Sequence, residues 1–565
     1  MPELERQSRL PRRQVLKATG ALAAAAALAG PPVGSVAAAS QLARGPTAAG
    51  VAPALPALEV IALNRLAFGP RPGDLDAFRQ LAGSDRERLI AYVDLQLNPQ
   101  LIDDSACSAR LDSAGFVTLG KSMPQLWSDH VTNPPEDHGY QWRNLPLTET
   151  IDATMIKAVY SRRQLQEVLV DFWHNHFNVF RDTDPVQPTF VHYDRDVIRA
   201  NALGNFRKMI EDVGTSPAML FYLDNNSNQV AGPNENYARE LFELHTLGAE
   251  NYLGVQDPRK IKGFDEHNSV GYVDNDVYEA ARAFTGWRVD EGSSHDTSIR
   301  DSGTFIYYKQ WHDRFNKQVL GRYLPHDQGD MEDGRQVYDI LAAHPGTAAH
   351  VSMKLARRLI GDQPPPEVVK QAADVFHAAM DAPDQLAQVV RSIVLSEAFA
   401  RTWGEKIKRP FEVAVGMLRA LNADMTRPPS RFYNLFESMG QPLFGHEAPN
   451  GYGDLRQNWS GTTSLLYRWR LASALAGNEL DDDDRSLPVD LMSQTPPDVR
   501  SATGAVDYWI GRVLGRQMSA ADRDEIVRAV AQADNPDAPL DDETFAKRLP
   551  QLVELILMSP DFQWR

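Results

Sequence analysis

Two carboxylates and an imidazole, Glu240, Glu243 and His245, form the densest group of proton-transfer or metal-binding side chains in this sequence. They lie in the run Asn234 to Gly248, where Tyr237, Leu241 and Leu244 recur at helical spacing. Wound at 3.6 residues per turn, Asn236, Glu240 and Glu243 share one face and His245 turns away from it. Such a helix presents a carboxylate pair and must borrow its histidine from elsewhere. Arg239, four residues after Glu235 and four before Glu243, is the run's cation, and Gly248 is its expected stop.

The lending element is the helix that carries Asp171, His174 and His176. With Asp171 as origin, His174 and Asn178 fall on one side, whereas Leu165, Leu169, Phe172 and His176 fall on the other. The two histidines point apart and cannot clasp one ion, so His176 reads as a hydrogen-bonded core histidine. Asp171, one turn before His174, is expected to orient its ring. Glu240 and Glu243 with His174 and His312 would suit zinc, manganese or iron. The catalytic candidates are thus Glu240, Glu243, His174 and Asp171, with Asn178, Asn236, Arg239 and Trp287 as substrate-binding candidates.

Two further readings use neighbouring residues. Asp224, Asn226 and Asn228 stand at positions 1, 3 and 5 of a twelve-residue loop closed by Glu235, which is the spacing of a calcium-binding loop. Gln229 stands at position 6 where a glycine is required, so an ordinary Asn-rich turn competes with that reading. Alternatively, Glu240 and Glu243 beside Trp287 offer acid, base and aromatic platform for glycan chemistry without a metal. The sequence contains no Gly-rich phosphate loop, no G-x-S-x-G elbow and no H-E-x-x-H.

The elements around these residues are mostly helical. Apolar spacing predicts one long helix from about 147 to 179, two helices between 194 and 224 broken at Gly214 and restarted at Ser216-Pro217, and nearly continuous helices after Asp333. The strand signals, Arg288-Val289 and Thr304 to Tyr308, predict a hairpin excursion near 286–310. The expected fold is a mostly α, multi-helix array: a main domain over 56–480, an acidic linker over 481–488, and a C-terminal helical segment over 489–565 packing on the main domain.

Composition narrows the setting. Arg12-Arg13, an alanine-rich run and Ala37-Ala38-Ala39 read as a twin-arginine signal over 1–39, followed by a flexible leader over 40–55. The expected location is periplasmic or secreted, with no membrane span after cleavage. Cys107 is the single cysteine, which excludes an internal disulfide and thiolate metal sites. The net charge of −17 makes nucleic acid an unfavourable partner.

Six stretches in fixed order resemble one bacterial family: Asn64 to Pro70, Phe172 to Phe177, Asn234 to Gly248, Ala283 to Trp287, His312-Asp313 before Leu320-Gly321, and Pro449-Asn450-Gly451. That family is catalogued as domain of unknown function 1800. The resemblance implies an exported protein and no particular activity. The residues themselves suggest a metal-assisted hydrolase acting on an extracellular polymer or envelope component. The alternative is a non-catalytic envelope or export assembly protein, bound to an exported partner, whose polar residues hold helices in register.

Overall fold

The computed structural model describes residues 55–565 apart from 136–138, 293–299, 483 and 533. The expected export signal and all but the last residue of the leader lie outside the described residues. From Leu58–Arg65 to Pro560–Gln563 the fold is carried by helices, as the apolar spacing predicts. Among the described residues, no helix is long and apolar enough to cross a membrane.

β structure is confined to two hairpins among the described residues. β1 (Trp287–Val289) pairs antiparallel with β2 (Phe305–Tyr307), Trp287 opposite Tyr307, which is the expected excursion. β3 (Lys317–Val319) and β4 (Arg322–Leu324) form a second hairpin that the sequence does not announce. Its two-residue turn needs positive φ at both positions, and Leu320 (φ 50°) occupies the place where Asn or Asp would have signalled it, ahead of Gly321 (φ 80°).

Local chemistry explains the helix boundaries. Ser216 accepts a hydrogen bond from the Met219 amide and Pro217 follows as first helical residue, so the chain restarts there as expected. The long helix predicted from 147 to 179 is two helices, Gly139–Tyr160 and Gln164–His176. Gln164 ends the first by donating from its amide to the Ala158 and Ser161 carbonyls at 3.0 and 2.8 Å, which replaces helical bonds with side-chain bonds.

The Asn234–Gly248 run also departs from a uniform helix. It is α-helical over Asn236–Glu240 and then widens into a π turn over Leu241–His245. The Thr246 hydroxyl donates to the Leu241 carbonyl at 2.6 Å, across five residues, and secures the wide turn. Gly248 (φ 91°) ends the run, its amide donating to the Phe242 carbonyl at 3.0 Å.

One apolar core runs without interruption from Val60 to Phe562. The Thr462–Ala476 and Asp542–Met558 helices pack together, so residues on both sides of the acidic stretch share that core. The stretch itself is tied down: Asp482 accepts from the Ser430 amide at 2.7 Å, and Arg485 donates to the Pro428 carbonyl at 2.8 Å.

Candidate active site

His174, Asp171, Asn175 and Asn178 line one cleft, together with Glu167 and Phe444, whose cavity volume of about 30 Å³ has room for one or two waters. His174 is 8% exposed. Its Nε2 lies 3.0 Å from Asp194 Oδ1, and Asp194 in turn faces Arg199 at 3.5 Å and Lys157 at 3.9 Å. Arg199 is itself held by Glu167 at 2.6 Å. Burial raises the Asp194 carboxyl, but Arg199, the His174 hydrogen bond and Lys157 outweigh it and hold the group far below the usual carboxylate range.

The ionised Asp194 fixes the imidazole tautomer: Nε2 carries the proton and donates, which leaves the lone pair on Nδ1. That nitrogen has no hydrogen-bond partner among the described residues. Unlike His176 Nδ1 and His245 Nε2, it is not shut off from solvent. An oriented imidazole with a free lone pair at a cleft is the equipment of a general base.

The cleft is roofed by the loop from Gln441 to Gly453, and the Phe172 to Asn178 stretch holds it. Asn175 exchanges two bonds with Tyr452, donating to its carbonyl at 2.9 Å and accepting from its amide at 2.7 Å. Asn178 donates to the His446 and Ala448 carbonyls, both at 2.9 Å, and Tyr222 donates to the Glu447 carbonyl at 2.6 Å. Gly451 (φ 68°) sits so close that a Cβ there would lie 2.1 Å from the Asn175 carbonyl oxygen. Two separate stretches of the sequence are thereby one clasp. Phe444, beside them, has a positive φ of 56° that side-chain-bearing residues rarely adopt, at a cost of roughly 1–3 kcal/mol.

The structure redistributes the other expected residues. Asp171 does not orient His174: two buried guanidiniums, Arg409 in close contact and Arg358 at 3.4 Å, claim its carboxylate. Behind them Glu412 accepts from Arg358 at 2.6 Å and pairs with Arg565 at 2.9 Å, and these arginines hold its carboxyl well below the ordinary range despite burial. His312 is not a free ligand, since Nδ1 faces the Thr285 carbonyl at 2.9 Å and Nε2 faces Asp333 at 3.1 Å. Among the described residues no group of three or more His, Cys, Asp or Glu side chains is disposed to hold a metal ion. The expected ligand set of His174, Glu240, Glu243 and His312 is therefore not assembled.

The calcium reading fails for the same reason. Asn226 accepts from the Val289 amide at 2.7 Å, Asn228 accepts from the Asn234 amide at 2.9 Å, Glu235 pairs with Arg239 at 2.9 Å, and Asp224 faces the Asn236 amide group at 3.5 Å. These contacts make the loop an Asn-rich turn. Arg239 divides its charge between Glu235 and Asp274 at 3.2 Å rather than reaching Glu243. Trp287 is wholly buried against Phe284 and Phe305 and offers no platform to a sugar.

Glu240 and Glu243 keep an unusual position. Both are half-exposed, and neither carboxylate has a hydrogen bond among the described residues. Burial first, then Glu243, raises the Glu240 carboxyl, and burial first, with Glu240 adding to it, pushes the Tyr222 phenol up to about 12. The π turn carries His245 inward instead. His176 Nε2 meets the His245 carbonyl at 3.1 Å, and the two rings are 6.1 Å apart. His176 is thus the hydrogen-bonded core histidine that its helix phase predicts.

Asp194, Arg199 and Phe444 are the site residues that sequence spacing misses. Asp194 and Arg199 belong to a second π turn, Tyr193–Arg199, where a 3.6-residue phase does not apply. A mostly helical protein with a carboxylate-held histidine under a glycine-pinned loop is the class that fold and site define. The chain belongs to the family described as Protein of unknown function (DUF1800), whose model matches residues 61–564. No curated protein and no solved structure matches it.

Proposed function

We propose that the protein is a hydrolase in which His174, held by Asp194, takes a proton from an attacking water in the cleft. The carrying observation is the free Nδ1 of an imidazole whose other nitrogen faces a buried, ionised carboxylate. As the proton arrives on Nδ1, Asp194 stabilises the imidazolium, which is the role of the carboxylate in any His–carboxylate pair. Glu240 does not line this cleft and takes no part in the step. An extracellular polymer or envelope component remains the proposed substrate class.

The test begins with purified full-length chain on chromogenic ester, amide and glycoside panels and on isolated envelope polymer. His174→Gln and Asp194→Asn are each expected to lower kcat by about 10²–10⁴-fold, His174→Gln without lowering the unfolding midpoint and Asp194→Asn with a lower one, because Arg199 and Lys157 lose their buried counter-charge. A His174→Gln chain that hydrolyses as fast as the parent overturns the assignment.

A second reading has its own support. Asn175, Asn178, His312 and Asp171 all bind protein groups, as members of a register-holding network would. Under that reading His174→Gln lowers stability and changes no reaction. The twin-arginine sequence supports export for either reading. Replacing Arg12 and Arg13 with lysine is expected to retain an uncleaved chain in the cytoplasm, read by fractionation and intact mass. Normal export of that variant sinks the twin-arginine route.

A further inference from the structure

The geometry points to Phe444 as the gate and specificity-determining residue of the cleft, the side chain that decides what reaches His174. The inference rests on the reading of His174 as the reacting group. The Phe444 ring lies 4.7 Å from the His174 ring and 4.9 Å from Phe190, while Tyr193 closes the imidazole from another side at 5.7 Å. With Asp194 on Nε2, these rings leave His174 the narrow opening that its 8% exposure records. Phe444 is the one of them that stands on the roof loop, whereas Tyr193 is anchored by its hydroxyl to the Phe177 carbonyl at 2.6 Å.

The backbone argues the same way. Arg181 pins the loop on both sides of the Phe444 ring, its amide donating to the Phe444 carbonyl at 2.8 Å and its guanidinium to the Leu443 carbonyl at 3.0 Å. A phenylalanine held at φ 56° under two such bonds is placed by its surroundings against its own preference, as residues at working sites often are. The loop also has glycines that can absorb a change of direction. Gly440 (φ 99°) stands in open space before the loop, and Gly445 follows Phe444 directly. A ring that covers the imidazole admits water when closed. Wider groups enter when it swings aside.

Access to His174 can be read without any substrate. Diethyl pyrocarbonate acylates unprotonated imidazole nitrogen, and peptide mass mapping reports each histidine separately. In the parent chain His174 is expected to react far more slowly than the exposed His326. In Phe444→Ala its rate should rise about tenfold or more, in Phe444→Leu by less, with His176 and His245 still protected. Gly451→Ala, which lifts the loop from its other end, should raise His174 labelling as well.

Unchanged His174 labelling in both Phe444→Ala and Gly451→Ala overturns the gate, as does a parent His174 that reacts as fast as His326. A rise shared by His176 and His245 also overturns it, because general loosening then explains the access. Labelling is independent of turnover. A gate confirmed by labelling beside an inactive panel would reject the hydrolase reading alone, and the converse pattern would reject the gate alone.

Discussion

Glu412→Gln is expected to destabilise the protein by about 3–5 kcal/mol, the largest single-residue effect the structure implies. Glu412 is 4% exposed, accepts from the Arg358 guanidinium at 2.6 Å and the Arg409 amide at 2.8 Å, and pairs with the Arg565 guanidinium at 2.9 Å. Arg358, Arg409 and Arg565 are each about 1% exposed, so water cannot replace the missing charge. Glutamine keeps the shape but removes the charge and turns an amide donor toward guanidiniums that have only donors of their own. The measurement is a urea unfolding curve, with a fall in midpoint at unchanged slope. A loss below about 1 kcal/mol would show that the arginines find other partners or water.

Acid should weaken the fold in a window set by buried histidines, above the range where the depressed carboxylates titrate, with Asp276, raised by burial to about 6, opposing part of the loss. Burial first, then Lys354, lowers the His245 imidazole to about 3, and the same causes hold His176 well below its ordinary 6.5. Both stay neutral in the folded chain, while the unfolded chain takes up protons below about pH 6.5. Their contribution is therefore complete above about pH 6.5 and is lost as pH falls, by about 1.4 kcal/mol per pH unit for each residue. His130, His192 and His344, lowered mainly by burial, steepen the slope. Glu412 and Asp194, being depressed carboxylates, add their own loss only below about pH 4.5. Unfolding curves between about pH 7 and 5 test this, and His245→Leu should flatten the slope by about 1.4 kcal/mol per unit. An unaltered slope in that variant would mean that His245 is protonated in the fold.

Much of this architecture is legible in the sequence wherever the backbone obeys one period. The helices after Asp333, the Ser216-Pro217 restart, the β1–β2 hairpin and the opposed directions of His174 and His176 all follow from spacing. Spacing cannot choose among partners that come from elsewhere in the chain. Asp171 is one turn from His174, yet Arg409, more than two hundred residues on, claims it because a buried guanidinium needs a carboxylate more than a neutral imidazole does. The π turn at 193–199 hides Asp194, where a 3.6-residue phase does not apply, whereas the one at 241–245 still leaves His245 turned away from Glu240 and Glu243 as helical spacing predicts. The family resemblance rested on stretches whose shared purpose becomes visible only in space, where Asn175 meets Gly451.

The packing of the first ordered helix bears on the order in which the chain is made. Arg65 donates to the Phe399 and Thr402 carbonyls at 2.9 and 2.7 Å, and Arg419 returns a bond to the Gly69 carbonyl at 2.7 Å. During synthesis the Leu58–Arg65 helix therefore waits for more than three hundred further residues before its partners exist, and the clasp between Asn175 and Tyr452 waits almost as long. Until then Val60 and Ile61, buried in the finished fold, have only the neighbouring Asp74–Arg79 and Asp85–Gln96 helices as native cover. A ribosome-bound chain shorter than about 420 residues therefore leaves the face of this helix that meets Phe399, Thr402 and Arg419 without its partners.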